Sequence, residues 1–426
     1  MSRSLPGDEV RDLLTRIGEV ATAARDRYPG DRPGRQPLHT LYVPADRSSE
    51  RTVVEYGEEA RRLLETHAPD ALSFATAFGI DRGVSALTRE RVMDKLEREP
   101  VEDLRIDFED GYGNRPDEEE DRHAVEAARA IGQARRDGMA PRLFGVRVKS
   151  FADGMEDRSV RTLDLFVTNL VGSTGEVPDG LVVTFPKVVA PEHVALFAET
   201  LGRLEGVLGL GEGSLRFEVQ VETPRSVVDA TGAVAAQRIV DAAGGRLTAM
   251  HFGVFDYTAS LGFMPWEQRL DHPANDFARQ AVQVALAGTG VRISDGSTNV
   301  VPASDGTEDV HAAWRAHSAN VRHSLAEGIY QGWDLHPAHL ASRYAAVYGW
   351  LLPRLDDAVS RVRAWRELAP AGGVLDEPAT VKSLLRYLRF AVTSGAVEES
   401  DLLARTDLTN DDLFGTAVAG GPSRKG

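Results

Sequence analysis

Short apolar runs rich in β-branched residues recur along the chain, separated by longer stretches whose apolar residues return every three or four positions. The runs are Leu38–Val43, Leu104–Phe108, Leu143–Val148, Leu181–Phe185, Leu215–Val221, Leu247–Val254, a weaker Asn299–Val301, and a last one from Gly328 to Leu335. Runs this short read as strand candidates. The stretches between them predict helices over Ser49–His67, Pro116–Asp137, Arg158–Leu170, Pro191–Leu204, Pro224–Ala242, Ala274–Ala287 and Glu308–Glu327. Several of these open on proline, which suits the first turn because its missing N–H is not needed there.

Strands alternating with helices predict parallel βαβ units. Eight strand candidates predict a closed (β/α)8 TIM barrel, with an open doubly wound sheet as the alternative. The barrel is expected over residues 38–341. Residues 1–37 read as an N-terminal helix (8–28) followed by a Gly-, Pro- and Arg-rich linker. Residues 342–426 read as a helical segment, helical to about Thr393 and ending in a polar tail, Gly420–Gly426, expected to be disordered. Two stretches, Asp70–Leu87 and Ile293–Asp305, fit neither period and read as insertions.

Composition narrows the partners. The 426 residues carry a formal net charge of -16, which repels nucleic acid and anionic lipid. There is no cysteine, so disulfides, thiolate nucleophiles and Cys-based zinc sites are excluded. No apolar run approaches the ~20 residues that span a bilayer. The N-terminus meets acidic residues at once and lacks the apolar core of a signal peptide. The expectation is a cytoplasmic protein acting on a small molecule. Its basic residues are mostly Arg; the lysines are Lys95, Lys149, Lys187, Lys382 and Lys425.

In a barrel of this kind chemistry sits where the strands end. Those ends here are charged: Asp107-Phe-Glu109-Asp110, Arg147-Val-Lys149, Pro186-Lys187, Gln220-Val-Glu222, Gly253 to Asp256, and Asp334-Leu-His336. Converging charges cost desolvation, and a divalent cation would balance them. Glu222 and Asp256 follow neighbouring strands and offer hard oxygen ligands of the kind Mg²⁺ takes one or two of, with Mn²⁺ as a second fit. A keto acid can chelate the remaining positions, and Arg147 can face the oxygen that gains charge.

Each residue also has a structural reading. Glu222 or Asp256 can cap the helix that follows. The acids from Asp117 to Asp121 read as a solvated face. Lys187 can extend outward to water or touch substrate. His336, before Pro337, is either a capping core histidine or a base. An unpaired Arg147 on an apolar strand has no cheap structural reading.

Taken in order, these motifs resemble the citrate lyase β-subunit-like aldolases, the HpcH/HpaI superfamily that also has malyl-CoA lyase and malate synthase as relatives. Leu41-Tyr-Val-Pro-Ala-Asp-Arg47 is similar to its opening motif LFVPGDR, Asp107-Phe-Glu-Asp-Gly111 to DLEDGV, Val146-Arg-Val148 to VRIN, and Phe185-Pro-Lys-Val188 to LPKV. Val221-Glu-Thr223 is similar to IET, Gly253–Gly262 to GAEDLxxxLG, and Leu335-His-Pro337 to IHP. The resemblance covers roughly residues 38–340.

It implies that Glu222 and Asp256 ligate Mg²⁺ and that Arg147 stabilises an enolate or carbonyl oxygen. It implies that Asp107, Glu109 and Asp110 order water and neighbouring groups at the reaction centre. Lys149 stands where the family has Asn. Lys149, Lys187 and His336 are the candidate substrate contacts. Relatives draw an acid–base group from a C-terminal segment, which puts Asp401, Asp407, Asp411 and Asp412 forward. The implied activity is a Mg²⁺-dependent carbon–carbon lyase in a homo-oligomer, acting on a 2-keto or hydroxy acid or its CoA thioester. Two other readings stay open: phosphoenolpyruvate mutase or phosphotransfer chemistry, and a non-catalytic carboxylate-binding subunit of a larger lyase.

Overall fold

A computed structural model describes residues 4–30, 34–152, 154–367 and 377–415. Eight parallel strands form one sheet: β1 (His39–Pro44), β2 (Asp103–Asp107), β3 (Leu143–Arg147), β4 (Leu181–Phe185), β5 (Arg216–Val221), β6 (Leu247–Phe252), β7 (Arg292–Ser294) and β8 (Gly332–Asp334). From β1 to β7, neighbours in sequence are neighbours in the sheet, and β1 also pairs with β8. Just beyond β7 the chain meets β8: Asp295 N–H donates to the Gln331 carbonyl (2.8 Å) and Trp333 N–H to that of Gly296 (3.3 Å). The expected (β/α)8 barrel is thus formed.

The strands are buried on both faces, but the two faces differ. Most outward side chains are apolar and pack beneath the helices, His39 and Asp334 being exceptions; Phe185 of β4 stacks on Phe197 with centroids 4.3 Å apart. The lumen is polar. Arg105 donates to Glu218 Oε1 (3.1 Å) and Asp103 Oδ2 (2.8 Å). Thr184 donates to Glu218 (2.5 Å), and His251 Nε2 lies 3.1 Å from it. Trp333 Nε1 donates to His251 Nδ1 (3.1 Å). A side chain at Gly145 would collide with the Val182 carbonyl and the Arg105 guanidinium, so β3 leaves that lumen position empty.

Several readings need correction. β7 is Arg292–Ser294, overlapping the start of the stretch read as an insertion, whereas Asn299–Val301 is loop. The apolar run at β7 is short because its continuation, Ser294-Asp295, carries buried polar groups. Asp70–Leu87 is no irregular insertion either. It holds the helix Ala71–Phe78, opened by an Asp70 capping box and stopped by left-handed Gly79, and the start of the helix Arg82–Arg98, capped by Asp81. The first of these is apolar on several sides, with Phe78 against Trp314, which hides its period. Pro224–Ala242 is two helices, Pro224–Val227 and Ala236–Ala242, around a turn built on Asp229.

The acidic run at Asp117–Asp121 opens the helix Asp117–Arg136, where carboxylates suit the N-terminal dipole. It is not simply solvated: Glu120 is fully buried against Lys149, Arg158 and Thr162. The eighth barrel helix, Pro337–Leu351, runs on past position 341 and packs on the helices Thr52–His67, Arg82–Arg98 and Thr307–Ala326. Beyond it lie Leu355–Arg366, Pro378–Thr393, Glu399–Thr406 and Asn410–Phe414. The N-terminal helix is Gly7–Arg27 and has no buried residue. The tail Gly420–Gly426 lies outside the described residues. No helix among those described is long and apolar enough to cross a membrane.

Replacing Arg105 with Met leaves Asp103 and Glu218 buried without their shared cation. Uncompensated buried charge typically costs about 3–5 kcal/mol, so urea unfolding of Arg105→Met should show a loss of that order. A loss below about 1 kcal/mol would mean that the lumen charges do not depend on this pairing.

Candidate active site

At the C-terminal ends of the strands lies a cavity of about 450 Å³, lined among others by Tyr42, Arg47, Asp107, Asp110, Arg147, Glu222, Asp256 and Trp333. A smaller one of about 290 Å³ adjoins it through Asp110 and is lined by Glu109, Lys149 and Lys187. A further cavity of about 390 Å³, beside Arg292 and Phe390, has no acidic residue in its lining. The chemistry concentrates at the strand-end mouth.

Asp107 ends β2 and Arg147 ends β3, in register with each other. The guanidinium donates twice to Asp107, Nε to Oδ1 at 2.6 Å and Nη2 to Oδ2 at 2.7 Å. The same two oxygens accept N–H groups from Glu109 and Gly111, each at 2.9 Å. Both oxygens are thus doubly engaged, and Asp107 fixes Arg147 and the loop after β2 together. Arg147 Nη1 reaches Glu109 Oε2 at 3.1 Å, and its guanidinium lies over the Tyr42 ring at 5.0 Å.

Glu222 follows β5. The helix cap there is Thr223, whose hydroxyl accepts from Ser226 N–H (3.2 Å), and this leaves Glu222 free to turn inward. Its carboxylate is buried and accepts Lys187 N–H at 2.7 Å. With the Gln220 amide turned so that its oxygen meets Arg147 Nη1 (3.3 Å), the amide nitrogen donates to Glu222 at 3.2 Å. Gly253 stands so close that any Cβ there would strike Glu222. Burial pushes the Glu222 carboxyl up to about 8, helped by the nearby carboxylates of Glu109 and Asp256.

Asp256 sits in the first turn of the helix Val254–Ser260, past the end of β6. Its N-cap is Gly253, so Asp256 is not the cap. Burial, with Asp110 nearby, raises its carboxyl as well, and Glu109 is raised chiefly by burial. Lys187 Nζ donates to Glu109 Oε1 and to Asp110 Oδ1 (2.8 Å), and lies 3.6 Å from Asp256 Oδ2.

Two candidate substrate contacts are engaged elsewhere. Lys149 donates to the carbonyls of Phe108 (2.6 Å) and Gly113 (3.1 Å) and to Glu120 (2.9 Å), so its ammonium ties down the loop after β2. His336 caps the helix Pro337–Leu351, its Nδ1 accepting from Ala338 N–H at 3.1 Å. Burial lowers its pKa. Asp401, Asp407, Asp411 and Asp412 lie on the C-terminal helices and do not line the mouth cavities.

Sequence reasoning passed over Tyr42, Arg47 and Trp333. The alternation of polar and apolar positions in β1 and β8 was the signal that would have turned Tyr42 and Trp333 into the lumen.

Among the described residues, one other cluster brings metal-binding residue types together: His317, Asp334 and His339, behind β8. It reads as a hydrogen-bonded support. Arg343 is bidentate on Asp334, His317 bridges Asp334 (3.1 Å) and Ser342 (2.7 Å), and His339 spans Leu335 N–H (3.3 Å) and the Val300 carbonyl (2.9 Å). The ring nitrogens of both histidines are thus engaged.

Eight βα units with charged strand ends define a TIM-barrel protein with an acidic mouth. A solved structure shares this fold, and others are similar at lower scores. A citrate lyase from Burkholderia xenovorans is 18% identical, with 88% of this chain and 98% of that chain covered at a TM-score of 0.57. A HpcH/HpaI aldolase/citrate lyase family protein from Burkholderia cenocepacia is also 18% identical, covering 80% and 99% at 0.41. A Haloferax volcanii malate synthase is 14% identical, covering 92% and 100% at 0.49. The resemblance read from the motifs is matched at the level of the fold by the first of these, the citrate lyase. No curated protein matches the sequence. The chain belongs to the family described as a domain of unknown function (DUF6986), whose model matches residues 17–419.

Without divalent cations, Glu222 binds its proton more tightly in the folded chain than in the unfolded one, about 8 against 4.5. Its contribution therefore makes stability fall as pH rises from about 4.5 to about 8, by at most about 1.4 kcal/mol per pH unit. Urea midpoints in chelator at pH 5, 6.5 and 8 should show this fall, and Glu222→Gln should flatten it. An equal slope in the variant would show that Glu222 ionises as freely as in the unfolded chain.

Proposed function

We propose that the protein is a divalent-cation-dependent carbon–carbon lyase of the aldolase or Claisen kind. Its substrate is a small 2-keto or hydroxy acid, free or as the CoA ester, and its setting is a cytoplasmic homo-oligomer. The observation that carries this reading is a set of crowded carboxylates, Glu222 foremost, facing the fixed cation of Arg147 at the mouth of the barrel.

The donor set fits Mg²⁺ or Mn²⁺. Glu222 and Asp256 offer hard oxygens, and both carboxyls are held in favour of the proton, which is the mark of a site short of positive charge. These two residues would hold the cation, which when bound supplies Lewis-acid polarisation of a keto oxygen.

The rest of the chemistry falls to the chain's own groups. Arg147 sets a guanidinium against the oxygen that becomes negative as the carbon–carbon bond breaks or forms. Because Asp107 already holds it, little reorganisation is needed at that moment. Asp107 acts by positioning rather than by contact. Glu109 and Asp110 order water and hold the Lys187 ammonium at the rim. Lys149 and His336 support the loops behind them. Tyr42 and Trp333, whose rings lie 5.0 Å apart, form an aromatic floor that keeps water from beneath the guanidinium. Arg47 adds a second cation to the lining, suited to a substrate carboxylate.

Proton exchange at the α-carbon of pyruvate and other 2-keto acids in D2O, followed by NMR with Mg²⁺, tests the proposal directly. The wild-type protein should catalyse exchange for at least one acid of the panel. Glu222→Gln and Asp256→Asn should bring it to background, and Arg147→Lys should lower it about 10²-fold or more. Full exchange by the Glu222→Gln, Asp256→Asn double variant in chelator would overturn the mechanism.

A further inference from the structure

Lys187 touches every carboxylate of the mouth except Asp107. Its backbone N–H holds Glu222 (2.7 Å), while its ammonium meets Glu109, Asp110 (2.8 Å) and Asp256 (3.6 Å). Its backbone is left-handed, φ 49°, a conformation that a lysine adopts at a cost and that the surrounding contacts must sustain. It follows β4 directly after Pro186. Arg147, a neighbouring cation, is committed to Asp107 by two hydrogen bonds. The Lys187 ammonium, on a flexible stem, is the positive charge that contacts Glu109, Asp110 and Asp256 together.

Resting on the reading that Glu222 and Asp256 hold a divalent cation, we propose that Lys187 is a displaceable counter-ion for that site. Its ammonium holds Asp256, Asp110 and Glu109 together while the cation is away and withdraws when the cation arrives. The two compete for the same carboxylate oxygens: Asp256 cannot be ligand to a dication with an ammonium beside it except against their mutual repulsion. The side chain has somewhere to go. It is 20% exposed and borders the adjoining cavity of about 290 Å³, which is also lined by Asn114 and Ser150. The backbone N–H stays on Glu222 throughout, since that bond does not depend on where the ammonium lies. Lys187 is thus a positioning residue with two separable duties, a fixed one toward Glu222 and a movable one toward Asp256.

Two measurements test this. The first is Mn²⁺ binding followed by electron paramagnetic resonance, with thermal unfolding in chelator alongside. Lys187→Met should bind Mn²⁺ about tenfold more tightly than wild type, equivalent to about 1.4 kcal/mol, and should melt lower in chelator. Lys187→Arg, which keeps the charge, should bind as wild type does. Equal or weaker binding by Lys187→Met would overturn the proposal.

The second uses the unaltered protein and so does not depend on a variant folding. Acylation of lysines, resolved by peptide mass spectrometry, should rise several-fold at Lys187 when Mg²⁺ is added. Buried Lys149 serves as the internal reference. Labelling of Lys187 that is unchanged or reduced by Mg²⁺ would overturn it equally. If neither wild type nor Lys187→Met binds Mn²⁺ and Glu222→Gln changes nothing, it is the cation site itself that fails. Binding by wild type with no gain in Lys187→Met removes only the counter-ion role.

Discussion

Asp107 is the group on which the mouth of this barrel is assembled. Each of its oxygens accepts one hydrogen bond from the Arg147 guanidinium and one from a backbone N–H of the loop after β2. An arginine buried on its own would be prohibitively costly. Matched by a bidentate carboxylate it becomes a fixed positive point in a low-dielectric place, where fixed charge acts most strongly on a reacting group. The same bonds set the path of the loop that carries Glu109 and Asp110. Removing either partner would therefore disturb geometry and electrostatics together.

Below this layer the lumen is also charged, through Asp103, Arg105, Glu218 and His251. Apolar packing lies almost wholly outside, between strands and helices. The division has a consequence for the site. Polar groups that are paired within the lumen are spent on one another, and only those of the top layer face the cavity. There Glu222 is buried with nearby acids and without a dedicated cation, so its proton is retained into the neutral range. The contrast with Asp334 is instructive. That carboxylate is just as buried, but Arg343, His39 and His317 surround it and hold it far below the usual range. Burial alone does not hold a proton into the neutral range; burial with too little positive charge around it does.

The chain order of strands and helices was legible because each unit carries its own period and its own stop signals, down to Pro-opened helices at Pro191 and Pro337. The charged strand ends were legible because polar residues interrupt apolar runs. β7 was not, since three residues ending in buried Ser294 and followed by Asp295 leave no apolar run to see. Nor was the helix Ala71–Phe78, because apolar Leu72 stands on its exposed side and blurs the one-face pattern.

By itself, then, the sequence determined which residue types stand at the ends of most strands, and strand polarity in parallel βαβ units puts those ends on the same side of the sheet. Only the tertiary structure decided what each of them does there. Lys149 and Lys187 are both lysines just beyond strand ends. One spends its three donors on two carbonyls and Glu120, and the other lies among three carboxylates at the rim. Glu222 and His336 both precede helices, yet Thr223 takes the cap from the first while the second keeps it. Such outcomes depend on which partners, distant in sequence, arrive within ~3 Å of each side chain, and that distance exists only once the barrel has closed.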